Sequence, residues 1–429
     1  MKLLHIFIAE EIPSLNKGEA AILMGILRTF IFFNRVKVSL LSYDAKTDLQ
    51  RYPNSIDIID AAKDLHLPRF LMKRHSFFTI ILHFLFCGVQ HLFFMVSFMV
   101  LNRKVVAIMK AKLWKTYMDA DVFLIGHNGF LASEPSHLYI VPLAKILRKK
   151  IVIYAGGAPK GALTNFLWAK IQKIILNRVD LILLREDISY AYLRKIGITK
   201  PPMFVTADPA FLLEPRFTPK SNLIEHAKST KRAVIGISVN TRRSLQFFPD
   251  VNDLRARYIL FVTEMAKIAD ELIDKNKAII VLIPHALDLK KDLDDRAIAT
   301  AIYEKIRRKR DVILICQEYA PEEIRDLIGH LDLLISTRLH AIIDAASMHV
   351  PFIALTVPRD IRMLGIIKQL EMEKYMLMTQ QWNPNELITL INSALNNAEK
   401  IRKHLDYKSK IIKRQALKNG ILLKTILQF

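Results

Sequence analysis

Short runs of Val, Ile and Leu alternate along this chain with longer stretches of helical period, and the rhythm occurs twice. In the first half the apolar runs are LLHIFIA (3–9), VKVSLLS (36–42), DVFLIG (121–126), KIVIYAG (150–156), DLILLR (180–185) and MFVTA (203–207). After a polar stretch the rhythm resumes with AVIGISVN (233–240), AIIVLIP (278–284), VILIC (312–316), LDLLIST (331–337) and PFIALT (351–356). Continuous apolar strands separated by helices suit parallel sheets covered on both faces. The pattern therefore predicts an α/β protein with two doubly wound sheets. The intervening EPRFTPKSNLIEHAKSTKR (214–232), with its prolines and mixed charge, reads as the connection. It puts the boundary near residue 225, giving domains 1–225 and 226–429, and 429 residues are enough for two ordinary cores.

Two segments depart from the rhythm. FFTIILHFLFCGVQHLFFMVSFMVL (77–101) lies within an insertion at about 70–115 and has the length of a bilayer span. A single crossing would leave the first strands of the sheet on the wrong side of the membrane. His83, Gly88, Gln90 and His91 near its middle suit a bent or protein-covered hairpin instead. Two readings stand: a pair of core or dimer-interface helices, or a segment dipping into one leaflet, aided by flanking cations. The basic C-terminal helix carries an apolar stripe of Ile401, Leu405, Ile412 and Leu417, which suits packing on the first domain or on a membrane.

Composition narrows the chemistry. Apolar residues make up 52% and charged residues 24%, a globular balance that excludes general disorder. Cys87 and Cys316 are the two cysteines and have no partners at ligand spacing, so neither a disulfide framework nor a metal centre is expected. MKLLHIFIAEEI has acidic residues directly after its apolar run and reads as a first strand, not a signal peptide. These features lead us to expect a cytoplasmic location. The net charge of +22 calls for an anionic partner: a phosphorylated small molecule, an acidic lipid surface or nucleic acid. Basic runs such as 305–310 read as solvated helix faces, and no nucleic-acid motif accompanies them.

Candidate chemistry sits in loops that follow strands. Asn16-Lys17-Gly18-Glu19 precedes the helical AILMGILRTF. Gly126-His127-Asn128-Gly129 ends an apolar run, and Gly156-Gly157-Ala158-Pro159-Lys160-Gly161 ends another. Glycines and helix starts in such places bring backbone N–H groups to anions, although plain turns have the same composition. STRLHAIIDAA (336–346) is the most informative stretch. Alternation there is expected to point Arg338 and His340 one way, setting a guanidinium and a proton donor beside a helix start.

The ordered series Asn16 to Ala21, Gly126 to Gly129, Gly156 to Gly161, LLREDISYAYLRKIGI (183–198), TADPAFLL (206–213), GISVN (236–240), IPH (283–285) and STRLHAIIDAASMHVPFIAL (336–355) resembles the polysaccharide pyruvyl transferase family. The likeness covers most of the chain outside 70–115 and the last forty or so residues. Glu19 stands where the family pattern more often has Asp, and Gly126 to Gly129 replaces a more glycine-rich run.

The resemblance implies a GT-B-like pair of Rossmann-like domains whose sheets face across a cleft. It also implies transfer of a pyruvyl group from phosphoenolpyruvate to a sugar of a cell-surface polysaccharide, or its lipid-linked precursor, as a ketal. Phosphoenolpyruvate would then be a donor substrate, with no cofactor. His340 is the expected acid, and Arg338 is expected to hold phosphate or carboxylate. Asn16, Lys17, Gly18, Glu19, His127, Asn128, Gly156, Gly157, Lys160, Asn240, His285 and Arg359 are the expected substrate contacts. Arg185, Asp187 and Asp208 match the family too and suit structural roles. The expected place is the inner face of the cytoplasmic membrane, as a peripheral protein, with oligomerisation left open. A nucleotide-sugar glycosyltransferase and a non-catalytic glycan-assembly factor are the alternatives.

Overall fold

The structure is a computed structural model. It describes residues 3–72, 77–127, 135–157, 166–288, 294–358, 360–379 and 382–427, with the side chains of 69, 72, 77 and 166–168 excepted. Two compact units emerge. The first comprises 1–14, 26–208 and 416–429, and the second 15–25 and 209–415. The chain therefore changes unit at Asp208 to Pro209, upstream of the expected residue 225. The cause is local: the buried Arg325 guanidinium donates to the carbonyls of Ala210 and Leu213, tying the start of the connection to the second unit.

The first unit is built on a seven-stranded, wholly parallel sheet. Its strands are β1 (Leu4–Ile8), β2 (Val36–Ser42), β3 (Ile56–Asp60), β4 (Val122–Ile125), β5 (Lys150–Gly156), β6 (Leu181–Leu184) and β7 (Met203–Val205), in the order β3-β2-β1-β4-β5-β6-β7. The second unit has six strands, again all parallel: β8 (Val234–Ser238), β9 (Ile279–Leu282), β10 (Val312–Leu314), β11 (Leu333–Ser336), β12 (Phe352–Thr356) and β13 (Met376–Met378), in the order β10-β9-β8-β11-β12-β13. Eleven strands fall on the expected apolar runs. β3 and β13 do not: Asp57 and Asp60 interrupt the apolar signal of β3 (IDIID), and β13 is the three residues MLM.

Both sheets reverse their winding beside their first strand, between β1 and β4 and between β8 and β11. Crossover connections leave such a switch point to opposite faces, so the carboxyl ends of the two central strands open a crevice there. Gly126 and His127 lie at the first switch point and Thr337 to His340 at the second.

The long apolar segment is one continuous helix, Phe77–Leu101, which corrects the hairpin expectation: Gly88 sits inside it without a break. Its central polar groups face protein. Gln90 donates to the Leu65 carbonyl at 2.6 Å, His91 meets the Tyr117 hydroxyl at 2.9 Å, and His83 rests edge-on against Tyr43. β1 pairs directly with β2 and with β4, strands from before and after this helix, so the helix does not carry the chain across a membrane between them. The C-terminal helix Ala398–Leu427 buries Ile401, Leu405 and Ile412, and Leu417 is half-buried, so its stripe is covered by protein. Ser409 donates to the Ala346 carbonyl in the second unit, while Asn419 joins Thr206 and Ala207 in the first.

Candidate functional site

In the second unit, the residues singled out near the N-terminus and those of the Arg-Leu-His stretch come together. β11 ends at Ser336, whose hydroxyl donates to the Ser238 carbonyl at 2.7 Å and accepts from the Arg338 N–H at 2.9 Å. That turn makes Arg338 the N-cap residue of helix Leu339–Ser347, in extended backbone conformation. Leu339 and His340 are therefore helical. The arrangement differs from the expected strand alternation: His340 lies in the first helical turn, close to the partial positive charge of the helix start. Both Arg338 and His340 are half-buried.

Residues 15–25 pack here because their backbone joins the strand ends of this unit. Asn16 forms an antiparallel bridge with Ala286, the Lys17 N–H donates to the His285 carbonyl at 3.2 Å, and Leu287 N–H to the Leu15 carbonyl at 3.0 Å. Helix Lys17–Thr29 then begins directly beside His340. A Cβ at Gly18 would overlap the His340 ring, so only glycine permits this approach. The Lys17 ammonium is 2.7 Å from Glu318 although Lys17 is only 2% exposed, and Asn16 donates its amide to Glu19 at 2.9 Å.

Arg338 and Asp295 form an ion pair. Asp295 also accepts the backbone N–H groups of His285, at 3.1 Å, and Ala286, at 2.9 Å. One buried carboxylate thus fixes both the guanidinium and the loop that receives residues 15–17. Arg338 remains 22% exposed. Asn240 stands two residues after the end of β8. Its side chain caps the turn Thr241–Ser244 by accepting from Arg243 N–H at 2.8 Å, and its own N–H donates to Thr337 at 3.1 Å. Arg243 pairs with Asp360, the N-cap of helix Ile361–Leu370.

His285 is also reassigned. It is 2% exposed, and its Nε2 lies 2.9 Å from Asp344, whose other oxygen accepts from Arg325 Nε at 2.8 Å. Burial alone would raise the Asp344 carboxyl. The Arg325 charge, then the His285 contact, outweigh it and hold the group below the usual aspartate range. This triad supports the underside of helix Leu339–Ser347.

The first unit holds its own buried cluster at its switch point. Glu10, just after β1, accepts from Gly126 N–H at 2.8 Å, lies 2.6 Å from His137 Nε2 and 3.5 Å from His127 Nδ1. Burial pushes Glu10 up, but contacts to His137, the His127 charge and the Gly126 N–H bring it below its ordinary value. Burial lowers His127 despite Glu10. His127 is thus interior, and Gly126 supplies the positive φ of 74° its turn requires. Gly156 and Gly157 are buried at the end of β5, where the left-handed residue is Ala155, not a glycine. Arg185 and Asp208 form a buried pair at 2.8 Å. Asn128, Lys160 and Arg359 lie outside the described residues.

Asp295, Glu318, Glu10 and His137 were not singled out from the sequence. Asp295 and Glu318 are counter-ions from other loops, and no spacing signal marks them. Asp344 stood within the motif, four residues after His340, but its role depends on Arg325, which belongs to another helix.

The comparisons agree with this organisation. The family model described as polysaccharide pyruvyl transferase matches residues 16–358. The amylovoran biosynthesis protein AmsJ of Erwinia amylovora is 26% identical over 267 residues, which are 61% of this chain and 62% of that protein. The chain thus spans less than two thirds of that relative. Among solved structures, HepE from Anabaena in complex with UDP aligns with a TM-score of 0.58 at 12% identity, over 100% of both chains. UDP-GlcNAc 2-epimerase from Neisseria meningitidis aligns at 0.55 and 14%, covering 97% of this chain and 100% of that one. Trehalose-6-phosphate synthase OtsA aligns at 0.58 and 11%, over 99% of each chain. These likenesses carry the fold alone, the GT-B class of two Rossmann-like domains. With its family model matched from Asn16 through the Arg-Leu-His helix to Pro358, this chain belongs to the polysaccharide pyruvyl transferase family.

Proposed function

We propose that the chain transfers a pyruvyl group from phosphoenolpyruvate to two hydroxyls of a sugar in a cell-surface polysaccharide or its lipid-linked precursor. The observation that carries this reading is the convergence of Arg338, His340 and Gly18 at one helix start in the second unit. A guanidinium and a helix N-terminus suit a small phosphorylated carboxylate, and an imidazole beside them suits proton transfer.

In this scheme His340 protonates the methylene carbon of phosphoenolpyruvate, leaving an oxocarbenium-like centre at C2. One sugar hydroxyl adds there and loses its proton. The C2–O bond to phosphate then breaks, phosphate leaves, and the second hydroxyl closes the ketal as its proton is released. Two C–O bonds form at C2 and the phosphate bond is lost. Arg338, oriented by Asp295, holds the phosphate or carboxylate oxygens.

The direct test is to incubate the protein with phosphoenolpyruvate and lipid-linked glycans from its own host, weigh the glycans and measure phosphate. Phosphate release matched by a ketal on the glycan is expected. Turnover of a nucleotide sugar with no use of phosphoenolpyruvate would establish the glycosyltransferase alternative instead.

Two variants probe the corner. Arg338→Ala is expected to raise the donor KM by about 10- to 100-fold with a smaller change in kcat, the loss of a charge-assisted contact. Arg338→Lys should recover part of it, since a point charge replaces a fork. An unchanged KM in both would remove Arg338 from the donor site. Gly18→Ala is expected to lower kcat by about 10- to 100-fold by displacing the His340 ring, because small misplacements of a reacting group are costly. A wild-type rate in that variant would mean that the ring position is irrelevant.

A further inference from the structure

We infer that helix Phe77–Leu101 docks the first unit flat on a lipid leaflet bearing anionic headgroups, with one face of the helix in the acyl region and the other in the protein core. The inference is independent of the donor and acceptor.

The helix has two apolar faces. One is covered: Cys87, His91, Phe94 and Met95 are buried, with Phe94 stacked on Trp114 at 4.6 Å. The other carries Phe78, Ile81, Leu85, Val89, Phe93 and Val96, spaced by three and four residues and all exposed. Val89 is 66% and Phe93 61% exposed. With 25 residues, the stripe runs about 37 Å. A charge-free apolar surface of that length does not remain in water without a partner.

Charge selects the partner. From Leu65 to Met118 the sequence contains no Asp or Glu, and its eight cations are Arg69, Lys73, Arg74, Arg103, Lys104, Lys110, Lys112 and Lys115. All eight lie outside the helix, three before it and five after it. Arg103, Lys104 and Lys110 are exposed just beyond its C-terminal end. A second copy pairing along the stripe, parallel or antiparallel, would bring these cations against one another, Lys112 alone among the described ones being offset, by Asp57. An anionic leaflet offers acyl chains to the stripe and phosphates to both ends. Because the sheet pairs β1 with β2 and β4 across this insertion, the helix lies in the interface and does not span it.

Flotation of the full chain with vesicles tests this. One arm uses phosphatidylcholine with about a quarter phosphatidylglycerol, the other phosphatidylcholine alone. The protein is expected to float with the mixed vesicles and to bind the neutral ones at least about tenfold less. Val89→Glu/Phe93→Glu should lower binding to the mixed vesicles by about tenfold or more, and Val89→Ser/Phe93→Ser by less. Both pairs sit on the exposed face, and unchanged circular dichroism and melting would show that the fold survives. Failure of the wild-type chain to float, or equal flotation of the Glu pair, overturns the inference. So does a dimer in light scattering that the Glu pair dissolves without any vesicle binding, which would assign the stripe to a second copy.

Discussion

Replacing His340 by alanine is expected to slow the proposed pyruvyl transfer by about 10²- to 10⁴-fold, the usual loss when a positioned general acid is removed. The expectation comes from what surrounds the ring. The carboxylates of Asp295 and Glu318 are ion-paired with Arg338 and with Lys17, the residue before Gly18. An imidazole is the side chain whose ordinary titration lies near neutral pH, so it can give a proton in one half-reaction and regain it in the next. Removing the ring also opens space above Gly18, so His340→Gln is the sharper variant, filling that space without an equivalent acid. Phosphate release and ketal formation should fall together in both variants, with melting temperature close to wild type. If either keeps a rate within about tenfold of wild type, the proton comes from elsewhere.

Asp344→Ala is expected to lower unfolding free energy by about 3–5 kcal/mol, the cost of leaving a buried charge without its partner. Arg325 is fully buried, so its guanidinium cannot turn to water once the carboxylate is gone, and His285 loses its contact as well. Asp344→Asn should fall between, keeping shape and one acceptor. The pH dependence has a definite sign. Because the folded-state carboxyl of Asp344 titrates below its unfolded value, its ionisation contributes stability that is fully present above about pH 4 and is lost as pH falls through the folded value. The gap between wild type and Asp344→Asn in denaturant titrations should therefore narrow below about pH 4. A constant gap, or a loss under about 1 kcal/mol for Asp344→Ala, would mean that the triad does not hold the helix under the site.

The two effects separate cleanly. His340 variants should change turnover with little effect on melting, whereas Asp344 variants should change melting first and turnover only through misplacement of helix Leu339–Ser347. Measuring both quantities for both residues distinguishes a group that reacts from one that positions it.

Much of the architecture was readable in the chain itself. Eleven strands wrote their position as apolar runs, most of them buried on both faces. β3, broken by Asp57 and Asp60, and the three-residue β13 leave no such mark. The Arg-Leu-His corner and Gly18 were also legible, because a helix start needs particular residues in sequence order. Their meeting was not. Gly18 lies more than three hundred residues from His340, and the backbone links of residues 15–17 to 285–287 bring them together. The interior places of His285 and His127, the counter-ions Asp295 and Glu318, and the single continuous helix of residues 77–101 were likewise decided in three dimensions. The physical reason is one and the same: periodicity reports which face of an element avoids water, but a charge or a glycine is assigned its role by whatever other segment is packed against it.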